Sequence, residues 1–509
     1  MTKYYIGLDN GGTTTKAALY DAAGRELCAV STETKMLAPN PGFTERDMEE
    51  MWQANIFVIR ELLQRSGTDP ALIAGLAVCG HGKGLYLWGK DGKPVCSGIL
   101  SADTRAVDLV KKWQADGTEE KAFRLSCQHI MACQPVALLA WLKIHRPEIL
   151  PDIQWIFEAK DYIRFRLTGE AYGEMTDYSG TNLMNLHTRS YDSRLLEYFG
   201  IPELRNCLPP LCRADEVCGR ISAETAALTG LIEGTPVAGG MFDIDACALA
   251  AGLTGEEDLC AIAGTWSINE YIRKDPVTDG SVAMNSLFCI PEYYLIEESS
   301  ATSAGNLEWF IRSLLPEFKE ICSNSGKDFY EQLNQMVSSV SPDEFTPVFL
   351  PFLMASNVNP DAGGCFAGMN VSHTRAHLIR SIFEGVVFSH RYHIEKLLGT
   401  RTRPEHIRLA GGAARSRVWA QMFADVLQLP VIIVTANETG ALGCAIAAAV
   451  AAGDYPDLKT AAGKMCSVSE TVFPDEKKAA VYDRKYSLYL HTIEALDPLW
   501  KEYKAFLNG

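Results

Sequence analysis

The sequence predicts an α/β protein of two large lobes built on a duplicated fold. Three observations point there. The chain has 509 residues, strand-like and helix-like patterns alternate along it, and an opening strand–glycine–hydroxyl–strand motif returns in weaker form about 250 residues later. A chain of this length can bury a substantial core without disulfides or metal.

The elements follow in order. Residues 4–8 read as a short apolar strand, 16–20 as a second, and 21–24 as the turn after it. Residues 51–65 have helical spacing, with Trp52, Ile56, Ile59 and Leu63 on one face, and 73–79 read as a buried strand. Later come a strand at 259–263, helices at 377–398 and 416–427, a strand at 431–434 and a small-residue helix at 441–452. Residues 475–506 read as one or two amphipathic helices. No low-complexity linker or charge block divides the chain. The echo of IGLDNGGTTTKAALY by LCAIAGTWSINEYI places a seam near Gly252, giving expected domains 1–252 and 253–509.

Composition narrows the function classes. Hydrophobic residues make up 47% and charged residues 22%, as in ordinary soluble globular proteins. A net charge of −16 repels duplex DNA and anionic membranes, so neither is an expected partner. The acidity does not exclude an anionic ligand, since local glycine-rich backbone and bound Mg²⁺ can still hold phosphates. The 15 cysteines never form C-x-x-C, and Cys207, Cys212 and Cys218 have the wrong spacing for a zinc knuckle. They read as reduced thiols of a reducing compartment. The start MTKYYIGLDNGG carries early charge and no apolar stretch of signal-peptide length, and the most apolar run, 441–452, is too short to span a bilayer. The expectation is a cytoplasmic enzyme.

Several short motifs can carry chemistry. Asp9, Gly11, Gly12, Thr13, Thr14 and Lys16 form a tight turn after a strand. Its glycines let backbone approach an anion, its N–H groups and hydroxyls can cradle phosphate, and Asp9 can hold Mg²⁺ directly or through water. An ordinary hairpin is the competing reading, and no P-loop is present. Gly264-Thr265-Trp266-Ser267 is a second such turn, and Gly411-Gly412 lies between a strand and a helix beginning near Ser416. Asn437 to Gly440 precede the Ala-rich helix, as a ligand loop or a cap. Asp243 and Asp245 sit in the small-residue, apolar stretch GGMFDIDACALAAG, where an acid is unusual. Either is a candidate to accept a hydroxyl proton, or to cap the helix. His81, Lys83, Asp103 and Arg105 follow strands, where polar groups tend to line ligand sites.

Taken together these stretches resemble the FGGY carbohydrate kinases over nearly the whole chain. The most specific piece is GCFAGM, seven residues, then HLIRSIFE, from Gly364 to Glu384. KDYIRFRLTGEAYGEMTDYSGT resembles the corresponding xylulose kinase block, AGGAARSRVWAQMFADVLQLPV the family's adenosine block, and NETGALGCAIAAA the segment after it. GKG at 82–84, AGTWSIN and SATSAGNLEWF look most like the L-xylulose kinase branch. There are departures: Gly12 stands where the first turn usually has threonine, Leu138 replaces the lysine of the first signature, and Ser101 stands where relatives often have tryptophan.

The resemblance implies two actin-like (ribonuclease H-like) domains around a catalytic cleft, phosphorylating a sugar hydroxyl with Mg-ATP. It implies Asp243 as general base and His81, Lys83, Asp103 and Asp243 beside the sugar. Gly264, Thr265 and Gly305 would meet the ATP phosphates together with the first turn, and Gly412 and Ser416 would lie beside the adenosine. L-xylulose is the first expected sugar, with D-xylulose, ribulose, erythritol or another as alternatives, and a homodimer is the expected assembly. Rival readings are a ROK-type sugar kinase, suggested by D-x-G-G-T but lacking its cysteine zinc motif, and a non-catalytic actin- or Hsp70-like nucleotide switch. A NAD-binding protein lacks its glycine fingerprint.

Overall fold

The computed structural model describes residues 2–508. The described chain divides into two compact units. One comprises the chain through Thr254 with Ile272–Ile296 and Thr435–Ser467, the other Gly255–Tyr271, Glu297–Val434 and the chain from Val468. The division is therefore discontinuous, with two later segments joining the first unit.

In the first unit the strands are β1 (Tyr4–Asn10), β2 (Thr14–Asp21), β3 (Glu26–Glu33), β4 (Ile73–Gly80), β5 (Val217–Arg220), β6 (Pro236–Ala238) and β7 (Met241–Phe242). The sheet runs β5-β6-β4-β1-β2-β3, with β7 paired to β4. β1 is antiparallel to β2 and parallel to β4; β4 is parallel to β6, and β6 antiparallel to β5. Helix α1 (Met48–Ser66) starts at Asp47, whose carboxylate accepts the N–H groups of Glu49 and Glu50, and stops at left-handed Gly67. Its Trp52, Ile56, Ile59 and Leu63 pack with Ile6, Leu8, Leu76 and Val78 of the sheet. Each such side chain contributes about 1.5–3 kcal/mol by burial.

The helix Thr439–Ala451 packs on β1 and β4 and on α2 (Asp243–Ala250). Its run of Gly and Ala follows from how closely it approaches. A Cβ on Gly7 would lie 1.8 Å from the Ala441 carbonyl oxygen, and one on Gly443 would lie 2.3 Å from that of Ala246. Any larger residue at either position would lift the helix off its seat.

The seven-stranded sheet of the second unit includes β8 (Leu259–Ala263), β9 (Ser267–Arg273), β10 (Tyr294–Ser300), β11 (Ile407–Ala410), β12 (Val431–Val434) and β13 (Val468–Val472), in the order β10-β9-β8-β11-β12-β13. β8 is antiparallel to β9 and parallel to β11; β11 is parallel to β12, and β12 antiparallel to β13. The first unit has the same succession: a hairpin, two parallel neighbours, then an antiparallel edge. That repeat is the duplication the two glycine turns suggested. Helices α3 (Gly305–Leu314), α4 (Arg375–Leu398) and α5 (Arg417–Leu427) complete the part that bears on the site. The C-terminal stretch is one helix, Glu476–Asn508, with Pro498 inside it. Among the described residues no helix is long and apolar enough to cross a membrane.

Candidate functional site

The first glycine turn closes the β1–β2 hairpin, with Asn10 opposite Thr15 and the Gly11 N–H donating to the Thr14 carbonyl at 3.0 Å. Gly12 and Thr13 are exposed, Gly11, Thr14 and Lys16 half-buried, and a Cβ on Gly12 would meet no protein atom within 4 Å. The turn is held from beneath by Arg46. This fully buried guanidinium donates to the carbonyls of Gly11 (3.2 Å) and Gly12. Tying up both carbonyls removes two negative dipole ends that would otherwise oppose an anion at this turn. Sequence reading missed Arg46, because one arginine in TERDM carries no local signal.

Asp9, half-buried at the end of β1, has its carboxyl pushed up by burial and by Glu438, with Lys16 opposing. The Lys16 ammonium lies 2.8 Å from the Glu438 carboxylate. Gly440, in the loop read as a cap or a ligand loop, is required for space, since a Cβ there would lie 2.9 Å from Asp9 Oδ2.

The two acids of the DIDA stretch separate sharply. Asp243 opens α2 and is half-buried; Asp245 is fully buried. Burial pushes the Asp243 carboxyl well above the usual aspartate range; Asp9 and Asp177 push the same way, and Lys83 pulls back. Asp245 does not cap α2. Its Oδ1 accepts the Cys289 N–H at 2.9 Å, and its Oδ2 has no partner. The capping reading thus gives way to a tie between α2 and residue 289. Asp245→Ala should lower stability by about 1–3 kcal/mol, because the Cys289 N–H loses its acceptor. Asp245→Asn should cost less, since its Oδ1 can still accept. Urea denaturation of both variants checks this order.

His81 and Lys83 lie on the loop after β4. His81 Nε2 is 2.8 Å from the Tyr86 hydroxyl, and its buried Nδ1 has no partner. Burial and Arg46 push the imidazole down to about 4, so the ring is neutral at pH 7. Lys83 has a φ of 60°, in the left-handed region, and its ammonium lies 5.8 Å from the centre of the Phe242 ring. Such a conformation in a non-glycine residue is uncommon and clusters at functional sites. Asp103 is placed differently. It is 1% exposed, and its oxygens accept from the Thr44 N–H at 2.7 Å and from the Arg105 guanidinium at 2.8 and 2.9 Å. Arg105 also bridges to Glu45 at 2.7 Å and stacks on Phe43.

Two further acids escaped sequence reading. Neither oxygen of buried Asp177 or of Glu158 has a hydrogen-bond partner, although the Lys160 ammonium lies 3.4 Å from Asp177. Burial, Asp161 and Glu174 push Asp177 up to about 7 against Lys160. A Cβ on Gly82 would lie 2.6 Å from Asp177 Oδ1, so this acid sits directly under the His81–Lys83 loop. The only available signal was the high charge density of the EAKDYIRFRLTGEAYGEMTD segment.

In the second unit the Gly264–Ser267 turn closes β8–β9, with Ala263 opposite Ser267. Thr265 and Trp266 are exposed, and a Cβ on Gly264 meets no protein atom within 4 Å. Gly305, buried, is the first residue of α3; its Cβ would lie 3.3 Å from the Thr265 carbonyl oxygen. A helix N-terminus beside a hydroxyl-bearing turn offers N–H groups to an anion. Gly411 and Gly412 differ in role. Gly411 has a φ of 82° and a Cβ there would lie 2.8 Å from Ala263 backbone, whereas Gly412 is exposed and unobstructed. Ser416 caps α5, accepting the Trp419 N–H at 3.2 Å and donating to Asn334 Oδ1 at 2.7 Å. Among the described residues no group of three or more His, Cys, Asp or Glu forms a metal cluster.

Two units with this repeated strand order, each carrying a glycine–hydroxyl hairpin turn, define the actin-like ATPase class of fold. The family model for the N-terminal domain of FGGY carbohydrate kinases matches residues 4–250, and that for the C-terminal domain matches 259–452. The chain belongs to the FGGY family of carbohydrate kinases, and it is a sugar kinase with ATP as its nucleotide substrate. It is 40% identical over 498 residues to the L-xylulose/3-keto-L-gulonate kinase of Escherichia coli (strain K12), covering 97% of this chain and 98% of that one. It is 37% identical over 496 residues to a probable L-xylulose kinase of Pasteurella multocida (strain Pm70), covering 97% and 99%. The ligand-bound xylulose kinase structure from Lactobacillus acidophilus matches with a TM-score of 0.87 at 24% identity, covering 98% of this chain and all of that one. This last likeness concerns the fold.

Proposed function

We propose that the enzyme phosphorylates a ketopentose, L-xylulose first among candidates, with Asp243 as general base. The observation that carries the base assignment is the contrast within DIDA: Asp243 is accessible, with a carboxyl raised by burial, while Asp245 is sealed and holds backbone. A raised pKa makes a carboxylate a better proton acceptor, provided it is ionised at working pH. Asp243 takes the proton of a sugar hydroxyl as that oxygen attacks the γ-phosphorus in line. Lys83 and the unpartnered Nδ1 of His81 orient the sugar, and Asp103 serves it by holding Arg105 in place.

In the first unit the N–H groups of Gly12, Thr13 and Thr14 and the Lys16 ammonium serve the ATP phosphates, in a turn that Gly11 shapes by donating to the Thr14 carbonyl. In the second unit the Gly264 backbone, the Gly305 N–H and the Thr265 hydroxyl do so. Gly412 and Ser416 border the adenosine. Asp9 fits Mg²⁺ through water, since it is a hard oxygen donor that is only half-buried and Mg²⁺ typically uses one or two carboxylates and keeps several waters. The metal would neutralise charge on the phosphates. Free cysteines throughout support a reducing, cytoplasmic setting, and the family resemblance supports a homodimer.

The names of the two relatives support the substrate, and a sugar panel tests it. A site that hydrogen-bonds several hydroxyls discriminates strongly, because an epimer leaves buried polar groups unpaired. L-xylulose should therefore stand out in kcat/KM over D-xylulose, ribulose, erythritol and glycerol, measured as ADP release, with 3-keto-L-gulonate in the same panel. A highest kcat/KM for glycerol would reject the ketopentose reading.

A further inference from the structure

Next to the second turn, inside its own unit, lies a buried polar chain that the mechanism above does not use. It centres on His390 of α4, which is wholly buried. Its Nε2 is 2.9 Å from the Ser303 hydroxyl, and its Nδ1 is 2.7 Å from Asn269 Oδ1 and 3.2 Å from Ser267 Oγ. Asn269 Nδ2 points to Ser267 Oγ at 3.3 Å and to the Glu298 carbonyl at 3.4 Å, which fixes Oδ1 as the face turned to the imidazole. An amide oxygen only accepts, so Nδ1 carries the proton and Nε2 is left as acceptor for the Ser303 hydroxyl. Burial pushes the imidazole down to about 3, consistent with one neutral tautomer. The Phe423 ring stands edge-on to it, centroids 5.1 Å apart, and holds its plane.

The two ends of this chain are the two arms of the phosphate turn. Ser267 closes the Gly264–Ser267 hairpin. Ser303 leads into Gly305 at the start of α3, and its own N–H donates to the Thr265 carbonyl at 2.9 Å. We propose that His390 is a positioning residue that sets the separation of these arms, and so the placement of Thr265 and the Gly305 N–H for the ATP phosphates. This rests on the phosphate-turn reading given above. His390 touches neither nucleotide nor sugar in this account. It acts because Ser303 and Asn269 each have one buried hydrogen bond that only it supplies in this direction, and an unpaired buried group would drive local rearrangement. Small displacements of phosphate ligands translate into large rate losses.

The test measures kinetics and binding in Ser303→Ala, His390→Leu and His390→Gln, with Thr265→Ala alongside. Ser303→Ala and His390→Leu should lower kcat/KM for ATP by about 10-fold or more. Sugar Kd, measured by calorimetry without nucleotide, should stay within about twofold of the parent. His390→Gln, which keeps a donor and an acceptor, should fall between Leu and the parent, an order that a merely space-filling role would not produce. If His390→Leu does not fold, Ser303→Ala decides alone. The inference is overturned if Ser303→Ala keeps ATP kcat/KM within about twofold, or if ATP and sugar parameters fall together. Unchanged ATP kinetics in Thr265→Ala would remove the phosphate-turn reading and the inference with it. Impairment in Thr265→Ala with none in Ser303→Ala would remove the inference alone.

Discussion

Asp243→Asn should lower kcat by roughly 10²-fold or more, the scale of losing a general base. Asparagine keeps the shape at the start of α2 and cannot accept the hydroxyl proton, so ATP binding should survive while turnover falls. Asp245→Asn, buried and bonded to the Cys289 N–H, should leave kcat within about 10-fold of the parent. The pH profile adds a second reading. Below its pKa Asp243 is protonated and cannot serve, so activity is lost as pH falls. Because burial, Asp9 and Asp177 raise that pKa, the acid limb should lie above the aspartate value of about 3.9. The limb should be missing from the residual activity of Asp243→Asn. Sugar-dependent ADP release across pH, with melting curves for both variants, checks the pair. An active Asp243→Asn beside an inactive Asp245→Asn would reverse the assignment.

Gly264→Val should reduce kcat/KM for ATP by about 10²-fold, with the melting temperature little changed. The structure makes this separation sharp. A Cβ on Gly264 meets no protein atom within 4 Å, and the residue is not in the left-handed region that favours glycine. The first carbon of the new side chain meets no protein atom, so a loss of ATP use with an unchanged melting temperature points to the ligand. Gly411 is the counter-example beside it. A side chain there would strike the Ala263 backbone at 2.8 Å from a φ of 82°, so Gly411→Val should lose stability as well as activity. Steady-state kinetics at varied ATP with melting curves distinguish the two glycines. Near-normal ATP kinetics in a folded Gly264→Val protein would remove this turn from the phosphate site.

The fold was legible where periodicity and chain punctuation agree. The strand at 259–263, the helix α4 and the small-residue helix on β1 and β4 stand within two residues of where the pattern put them. The glycine turns were legible as hairpins because Gly and Thr clusters between apolar runs have few other uses. The supports of the site were not. Arg46 reaches Gly11 and Gly12 from 35 and 34 residues away, and His390 reaches Ser303 from 87. No local pattern encodes a contact at that separation. Asp177 and Glu158 were hidden for a different reason, since nothing local distinguishes two more acids in a stretch that already carries Lys160, Asp161, Arg164 and Glu174. Asp245 looked like a cap because capping is the common fate of an acid at a helix start. Its partner, the Cys289 N–H, lies 44 residues on.

The most direct test of the central claim is the stoichiometry of the reaction. The enzyme, given ATP and L-xylulose, should release ADP and form sugar phosphate in equal amounts, read by a coupled ADP assay beside mass spectrometry of the sugar. Without sugar, ADP release should fall to a small fraction of that rate, because water does not present the oriented hydroxyl that the proposed base, Asp243, would deprotonate. ADP release at the same rate with or without any sugar, and no sugar phosphate formed, would contradict the account and favour a nucleotide switch.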